Sequence, residues 1–222
     1  RMWPYLDAGL AHYILLMGVM APLLAALPAN VISFDGEDFG RSGDLSVHVP
    51  LLQHQNLVRR VPFTVELRNV PFRQQEQIAF YLLDRLPRFM GGAFDARGNG
   101  QYLAEVAMQR YGASRIQQVM LSEGWYREHM PPVKAALEDG TLDDLPKDAD
   151  TLADLRAVQM VRGVPRVPDT RTTGDDKGKR HGDAAVAVAL AYYASRELNS
   201  GPVSVSSRPR SSRIRGVDVN GY

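Results

Sequence analysis

The chain contains no cysteine. That absence removes disulfide scaffolds, thiolate zinc sites and cysteine nucleophiles together, and it fits a reducing compartment. A strong net charge is also missing, since 26 Lys and Arg against 25 Asp and Glu leave only +1. No global field advertises a nucleic-acid partner, so any such binding has to come from local patches. There is no Gly-x-Ser-x-Gly elbow, and Gly98-Asn99-Gly100 falls short of a dinucleotide fingerprint. The nearest approach to a P-loop, residues 174–179 (GDDKGK), has the wrong spacing and is followed by Arg180 where Ser or Thr is needed. ATP hydrolysis is therefore not expected. No internal repeat is evident.

The 222 residues, 45% hydrophobic and 23% charged, have a normal globular balance and suffice for a buried core. Residues 8–31 carry no Asp, Glu, Lys or Arg, a length that would suit a membrane span. Pro22 and Pro28 interrupt the run, His12 lies inside it, and no cationic cluster or small-residue cleavage site marks a signal peptide. The favoured reading is an apolar lead-in, residues 1–30, that packs on the domain; a membrane role is the lesser one. Residues 201–222 are rich in Ser and Arg, with Arg208, Arg210, Arg213 and Arg215, and read as a solvated tail. That leaves 31–200 as the folded unit.

Within that unit the apolar period changes. Residues 30–39 read as a strand, 45–52 as a second, and 57–67 as a third with Val61, Phe63, Val65 and Leu67 on one face. Three strands joined by short turns make an antiparallel meander. Residues 72–86 then follow a helical period through Ile78, Leu82 and Leu86, and Pro87 ends them. A strand at 88–95, a loop at 96–100, a helix through Tyr111 closed by Gly112, and a strand at 116–121 follow. Helices are expected at 130–139 and 152–161, a polar loop at 165–180, and a helix at 184–198 so apolar all round that it should be buried. Strand–helix–strand runs imply parallel pairing through crossovers. The sum is a mixed α/β fold of the ribonuclease H-like arrangement: a five-stranded sheet in the order 3-2-1-4-5, with helices on both faces.

Three acids fall at special places in this scheme. Asp38 ends the first strand (FDGEDFGRSGDLSV), Asp95 ends the fourth (GGAFDARGNG), and Asp183 opens the last helix (KRHGDAAVAVALA). Taken singly, each has an ordinary explanation: a turn residue, an Asx-type turn and a helix N-cap. Together, the sheet order puts Asp38 beside Asp95, and the last helix can bring Asp183 to the same edge. Clustered carboxylates repel and raise one another's pKa unless a cation sits among them. Hard divalent ions with oxygen ligands, Mg²⁺ or Mn²⁺, meet that need, and two such ions can activate water and stabilise the leaving oxygen of a phosphodiester. Asp35 and Glu37 crowd the first motif, but strand alternation directs them to the face opposite Asp38. A one-residue slip in register would hand the role to Glu37.

The segments GEDFGRSGDLSV, FDARGNGQYLAE and KGKRHGDAAVAVALAYYA resemble, in order, the three acidic motifs of the nuclease domain of Mu-like phage terminase large subunits. The likeness runs from about Val31 to Leu198. It implies that Asp38, Asp95 and Asp183 form the catalytic, metal-binding triad, with Asp44 matching a fourth acidic position that supports the metal site. It further implies cleavage of double-stranded DNA during genome packaging, with no strong sequence preference. The implied partners are a terminase ATPase domain or subunit, small terminase and portal protein, in the bacterial host's cytoplasm. The ATPase motor is absent from these residues, so an excised nuclease domain or a stand-alone relative is expected.

Lys177, Lys179 and Arg180, with His181, precede Asp183, and Arg41 and Arg97 each follow a candidate ligand. The bland reading is solvated loops. Beside a metal site, these cations are placed to hold DNA phosphates, which positions a duplex without reading its bases. His48 and His54 have no zinc spacing and read as surface histidines, while Tyr81, Tyr102, Tyr192 and Tyr193 read as helix packing. Two rivals stand beside the terminase reading: another ribonuclease H-like nuclease, of junction-resolvase type, and a docking module for portal or packaging proteins that does not cut.

Overall fold

In a computed structural model, the described residues are 10–40, 45–168, 172–173, 179–180 and 182–198. Helix α1 (Leu10–Ala25) leads into strand β1 (Ile32–Asp38) and strand β2 (Leu45–Gln53). Strands β3 (Arg59–Arg60) and β4 (Val65–Arg68) come next, then α2 (Phe72–Arg85), β5 (Phe89–Asp95), α3 (Gly100–Tyr111) and β6 (Ile116–Val119). The second half holds α4 (Glu123–Glu138), β7 (Leu142–Asp143), α5 (Ala149–Arg156), β8 (Gln159–Val161) and β9 (Val164–Arg166). The last elements are β10 (Thr172–Thr173), β11 (Lys179–Arg180) and α6 (Asp183–Glu197).

The main sheet runs β6-β5-β1-β2-β3-β7, and β4 also pairs with β2. Strand β1 is antiparallel to β2 and parallel to β5, which is parallel to β6. This is the expected 3-2-1-4-5 order, with β3 and β4 together as the third strand and the short parallel β7 added at the edge.

The third strand is broken, contrary to expectation. Pro62 has no N–H to give the ladder, so β3 pairs with one end of β2 and β4 with the other. The break also turns the chain over: Val61 joins the core under α6, while Phe63, Val65 and Leu67 join the core on the opposite face. The single face expected for these four residues is therefore split.

Two helix boundaries also differ. Helix α4 starts at Glu123, seven residues ahead of expectation, because Ser122 caps it by accepting from the Trp125 N–H at 3.2 Å. It continues through Pro131 and Pro132, held by the buried stripe Tyr126, Met130, Val133 and Ala136. Helix α5 stops at Arg156, and residues 159–161 form a strand instead. Arg162 and Gly163, both at positive φ, turn β8 back onto β9, the geometry that two-residue hairpins require. The expected loop at 165–180 accordingly holds the end of β9 as well as β10 and β11.

The sheet is covered on both sides. Helix α6 packs on β1, β2 and β5, with α4 and α5 against it. Helices α2 and α3 cover the other face, and α1 lies on α2, sending Met20 and Leu24 into that core. Burial of α6 on nearly all sides matches its unbroken apolar run from Ala184 to Ala191. Among the described residues no helix is long and apolar enough to cross a membrane.

Candidate active site

Strands β1 and β5 run parallel, with Glu37 in register with Phe94. Their last residues, Asp38 and Asp95, therefore stand at the same sheet edge. The start of α6 reaches this edge from one face, and Asp38, Asp95 and Asp183 line one pocket of about 690 Å³. Arg97, Glu123, Tyr126 and Arg166 line it as well. The three acids are separated by 57 and 88 positions in sequence, and the sheet brings them together.

The pocket's electrostatics are those of crowded carboxylates. Burial, then the charges of Asp183 and Asp95, push the Asp38 carboxyl well above the usual carboxylate range, while Arg97 pulls it back. Tyr126 is pushed up to about 12, by burial and then by the charge of Asp38. Its phenol stays protonated at neutral pH and supplies a donor instead of another anion.

Asp95 makes the local turn that its Asp-Ala-Arg-Gly setting suggests. Its Oδ1 accepts from the Arg97 N–H at 3.0 Å, and the Arg97 side chain closes a fork on both oxygens at 3.0 and 3.2 Å. Arg97 also donates to the Leu121 carbonyl at 3.3 Å. Asp183 is the first residue of α6, and the N-cap is Gly182, in the left-handed region at φ 77°.

Alternation along β1 is as expected. Asp38, Gly36 and Phe34 face the α6 side, while Asp35 and Glu37 face the other. Glu37 is fully buried away from the pocket, with neither carboxylate oxygen partnered, and its pKa is driven well up by burial and then by Asp38, Asp95 and Asp35. Asp35 meets His48 Nδ1 at 2.9 Å, both wholly buried. The reading of His48 as a surface histidine is thus corrected: helices cover the second face of β2, so its polar side chain is enclosed and takes an acid partner. Tyr102 is 44% exposed, stacks on the Phe72 ring at 6.3 Å and donates its hydroxyl to Glu76.

Sequence reasoning missed one carboxylate. Asp154 on α5 is buried, accepts from the Ala184 N–H of α6 at 3.1 Å, and adds to the charge felt by Asp38. No local pattern marks it, because its role depends on a residue thirty positions away. Arg41, Asp44 and Lys177 lie outside the described residues. Lys179 and Arg180 form β11, whose side chains are not described.

Among the described residues, no group of three or more His, Asp or Glu is set to grip a metal ion as it stands. The chemistry of the donors nevertheless fits a hard cation: all are carboxylate oxygens, and Asp38 carries an unfavourable charge that a cation would relieve. A cation at Asp95 would have to share or displace the Arg97 fork.

No family model matches the chain. The gp28 protein of the Mu-like prophage FluMu of Haemophilus influenzae is 44% identical over 176 residues, covering 79% of this chain and 34% of that protein. The probable terminase large subunit gp28 of Escherichia phage Mu is 45% identical over 177 residues, covering 79% and 32%. The chain thus spans about a third of the length of these relatives. Among solved structures, the large terminase nuclease of thermophilic phage G20c superposes with a TM-score of 0.56 at 16% identity, over 75% of this chain and 83% of that one. The same nuclease with bound magnesium gives 0.55 at 18% identity, over 75% and 82%. Over that third of their length the chain is similar to the gp28 proteins of Mu-like phages, one of them a probable terminase large subunit, and its fold is that of large terminase nuclease domains.

Proposed function

We propose that the chain is a metal-dependent endonuclease that cuts double-stranded phage DNA during genome packaging. One observation carries the reading: two strand ends and a helix start deliver Asp38, Asp95 and Asp183 to a single open pocket. These three, with Asp44 as a fourth acid, would hold Mg²⁺ or Mn²⁺ as a pair of ions. Bound there, the ions supply a nucleophilic water at neutral pH and take up charge on the leaving oxygen. The magnesium-bound G20c nuclease supports the choice of metal.

The chain's own residues prepare the pocket. The N-terminal amides of α6 ease the negative charge of Asp183. Arg97 holds the Asp95 carboxylate in a fixed plane, and its half-exposed guanidinium remains beside the pocket for a DNA phosphate. Arg41, Lys177, Lys179 and Arg180 make further phosphate contacts, which position the duplex without reading sequence. Through kinship with whole terminases, the partners are an ATPase domain or subunit, small terminase and portal protein, and the setting is the bacterial cytoplasm.

The test is an endonuclease assay on supercoiled plasmid with Mn²⁺, Mg²⁺ or chelator. Nicking or linearisation is expected with Mn²⁺, less with Mg²⁺, and none in chelator or with a folded Asp183→Asn protein. Cutting that survives either treatment would sink the reading.

A further inference from the structure

Helix α6 carries Asp183 into the pocket, yet it begins without a capping side chain of its own. Its N-cap is Gly182, held at φ 77°, where L-residues with a β-carbon are strained. A β-carbon there would also meet the Val167 side chain at 2.7 Å. Ser, Thr, Asp and Asn, the residues that normally satisfy the first amides of a helix, are therefore excluded at this position. The cap comes from elsewhere in the chain: Asp154 Oδ2 accepts from the Ala184 N–H at 3.1 Å.

Three further facts bear on this contact. Asp154 is only 1% exposed, so its carboxylate sits in the interior between α5 and α6. The amide it takes belongs to the residue directly after Asp183. Its charge is also felt at Asp38. A buried carboxylate is costly unless hydrogen-bonded, and a helix N-terminus is where its charge is best tolerated.

We propose that Asp154 is a positioning residue of the acidic pocket. It caps α6 across the chain, so fixing the height and direction of the Asp183 carboxylate, and its negative charge strengthens the pocket's pull on a divalent cation. The inference rests on the nuclease reading and goes beyond it, because Asp154 does not line the pocket.

The experiment measures Mn²⁺ affinity by calorimetry, and exchange of the Ala184 amide by NMR, for wild type, Asp154→Asn and Asp154→Ala. Asn keeps a capping oxygen but loses the charge. Outer-shell partners of metal ligands typically contribute about 10–100-fold to metal affinity. Asp154→Ala is expected to bind Mn²⁺ at least about tenfold more weakly, with faster exchange at Ala184. Asp154→Asn is expected to keep slow exchange at Ala184 and to fall between the two in affinity. A purely structural role would slow or speed exchange without moving Mn²⁺ affinity. Wild-type affinity in both variants overturns the inference and leaves the nuclease reading standing. Should the Ala variant not fold, the Asn variant decides, and unchanged Mn²⁺ affinity there overturns the inference. A wild type that binds no Mn²⁺ overturns the nuclease reading itself, and this inference with it.

Discussion

Gly36 of β1 lies directly against Ala187 of α6: a β-carbon on Gly36 would stand 2.2 Å from the Ala187 carbonyl oxygen, and 2.2 Å from the Ala191 amide nitrogen. The contact sits two residues before Asp38 and one turn into the helix that Asp183 opens. It sets how closely two of the three acids approach. The small residues of α6 at 184, 185, 187, 189 and 191 make the close approach possible on the helix side.

Gly36→Ala should therefore force the helix off the sheet, since both atoms it meets are backbone and cannot rotate away. The expected cost is about 3 kcal/mol, the upper end for overpacking, or a melting temperature lower by about 6–12 °C. A thermal melt of the purified variant checks this. A melt within a degree of wild type would show that the helix is not seated on β1 as described.

Mn²⁺ should stabilise the wild type by binding the native state alone. At roughly ten times its dissociation constant, the gain is about 1.4 kcal/mol, or a melting rise of about 3–5 °C. Asp38→Asn removes a carboxylate that Asp183 and Asp95 repel. Its metal-free melt should rise by about 2–4 °C, and its response to Mn²⁺ should vanish. Asp95→Asn should show no such rise, because it also gives up the Arg97 fork. Asp35→Asn, on the far face beside His48, should keep the full metal response. If Asp35→Asn abolishes the response and Asp38→Asn does not, the site has been built on the wrong face of β1.

Replacing Lys177, Lys179 and Arg180 with Ala should weaken DNA binding equally across sequences. Each lost phosphate contact flattens the slope of log affinity against log salt by about 0.9. Fluorescence anisotropy over a salt series measures the slope, and a slope equal to wild type would place this segment away from DNA.

His129, which does not line the pocket, supplies a pH dependence of stability. It packs edge-on to Tyr193 at 4.6 Å and against Trp125 at 5.0 Å. Burial holds its pKa below the ordinary 6.5, with Glu128 and Glu197 opposing and Arg196 assisting. The fold thus favours the neutral ring, and between the lowered pKa and 6.5 the unfolded chain binds more protons. This contribution to stability is complete above pH 6.5 and is lost as pH falls through the folded value. Melts from pH 8 to 5 should show a shallower decline for His129→Phe than for wild type, and parallel declines would refute the assignment.

Much of the fold is legible locally. Alternation in 45–52, the 3.6-residue period in 72–86 and the unbroken apolar run after Asp183 each name an element from its own residues. The strand order also follows, because meanders and right-handed crossovers leave few alternatives. The failures have physical causes. Pro62 broke a strand that alternation alone would continue. Packing of α4 carried a helix through two prolines that ordinarily stop one. His48 looked exposed because one strand's alternation cannot show that helices cover both faces of its sheet.

The sequence by itself determined the order of the main strands and helices, which acids stand at their ends, and that Asp38 and Asp35 point to opposite sides. These depend on chain periods of two and 3.6, which neighbouring residues set. Only the tertiary structure decided that Arg97 turns back onto Asp95, that Glu37 is sealed without a partner, and that Asp154 caps the helix carrying Asp183. Each of these depends on how closely two elements approach, and that distance is set by the volumes and backbones packed between them, not by the spacing of residues along the chain.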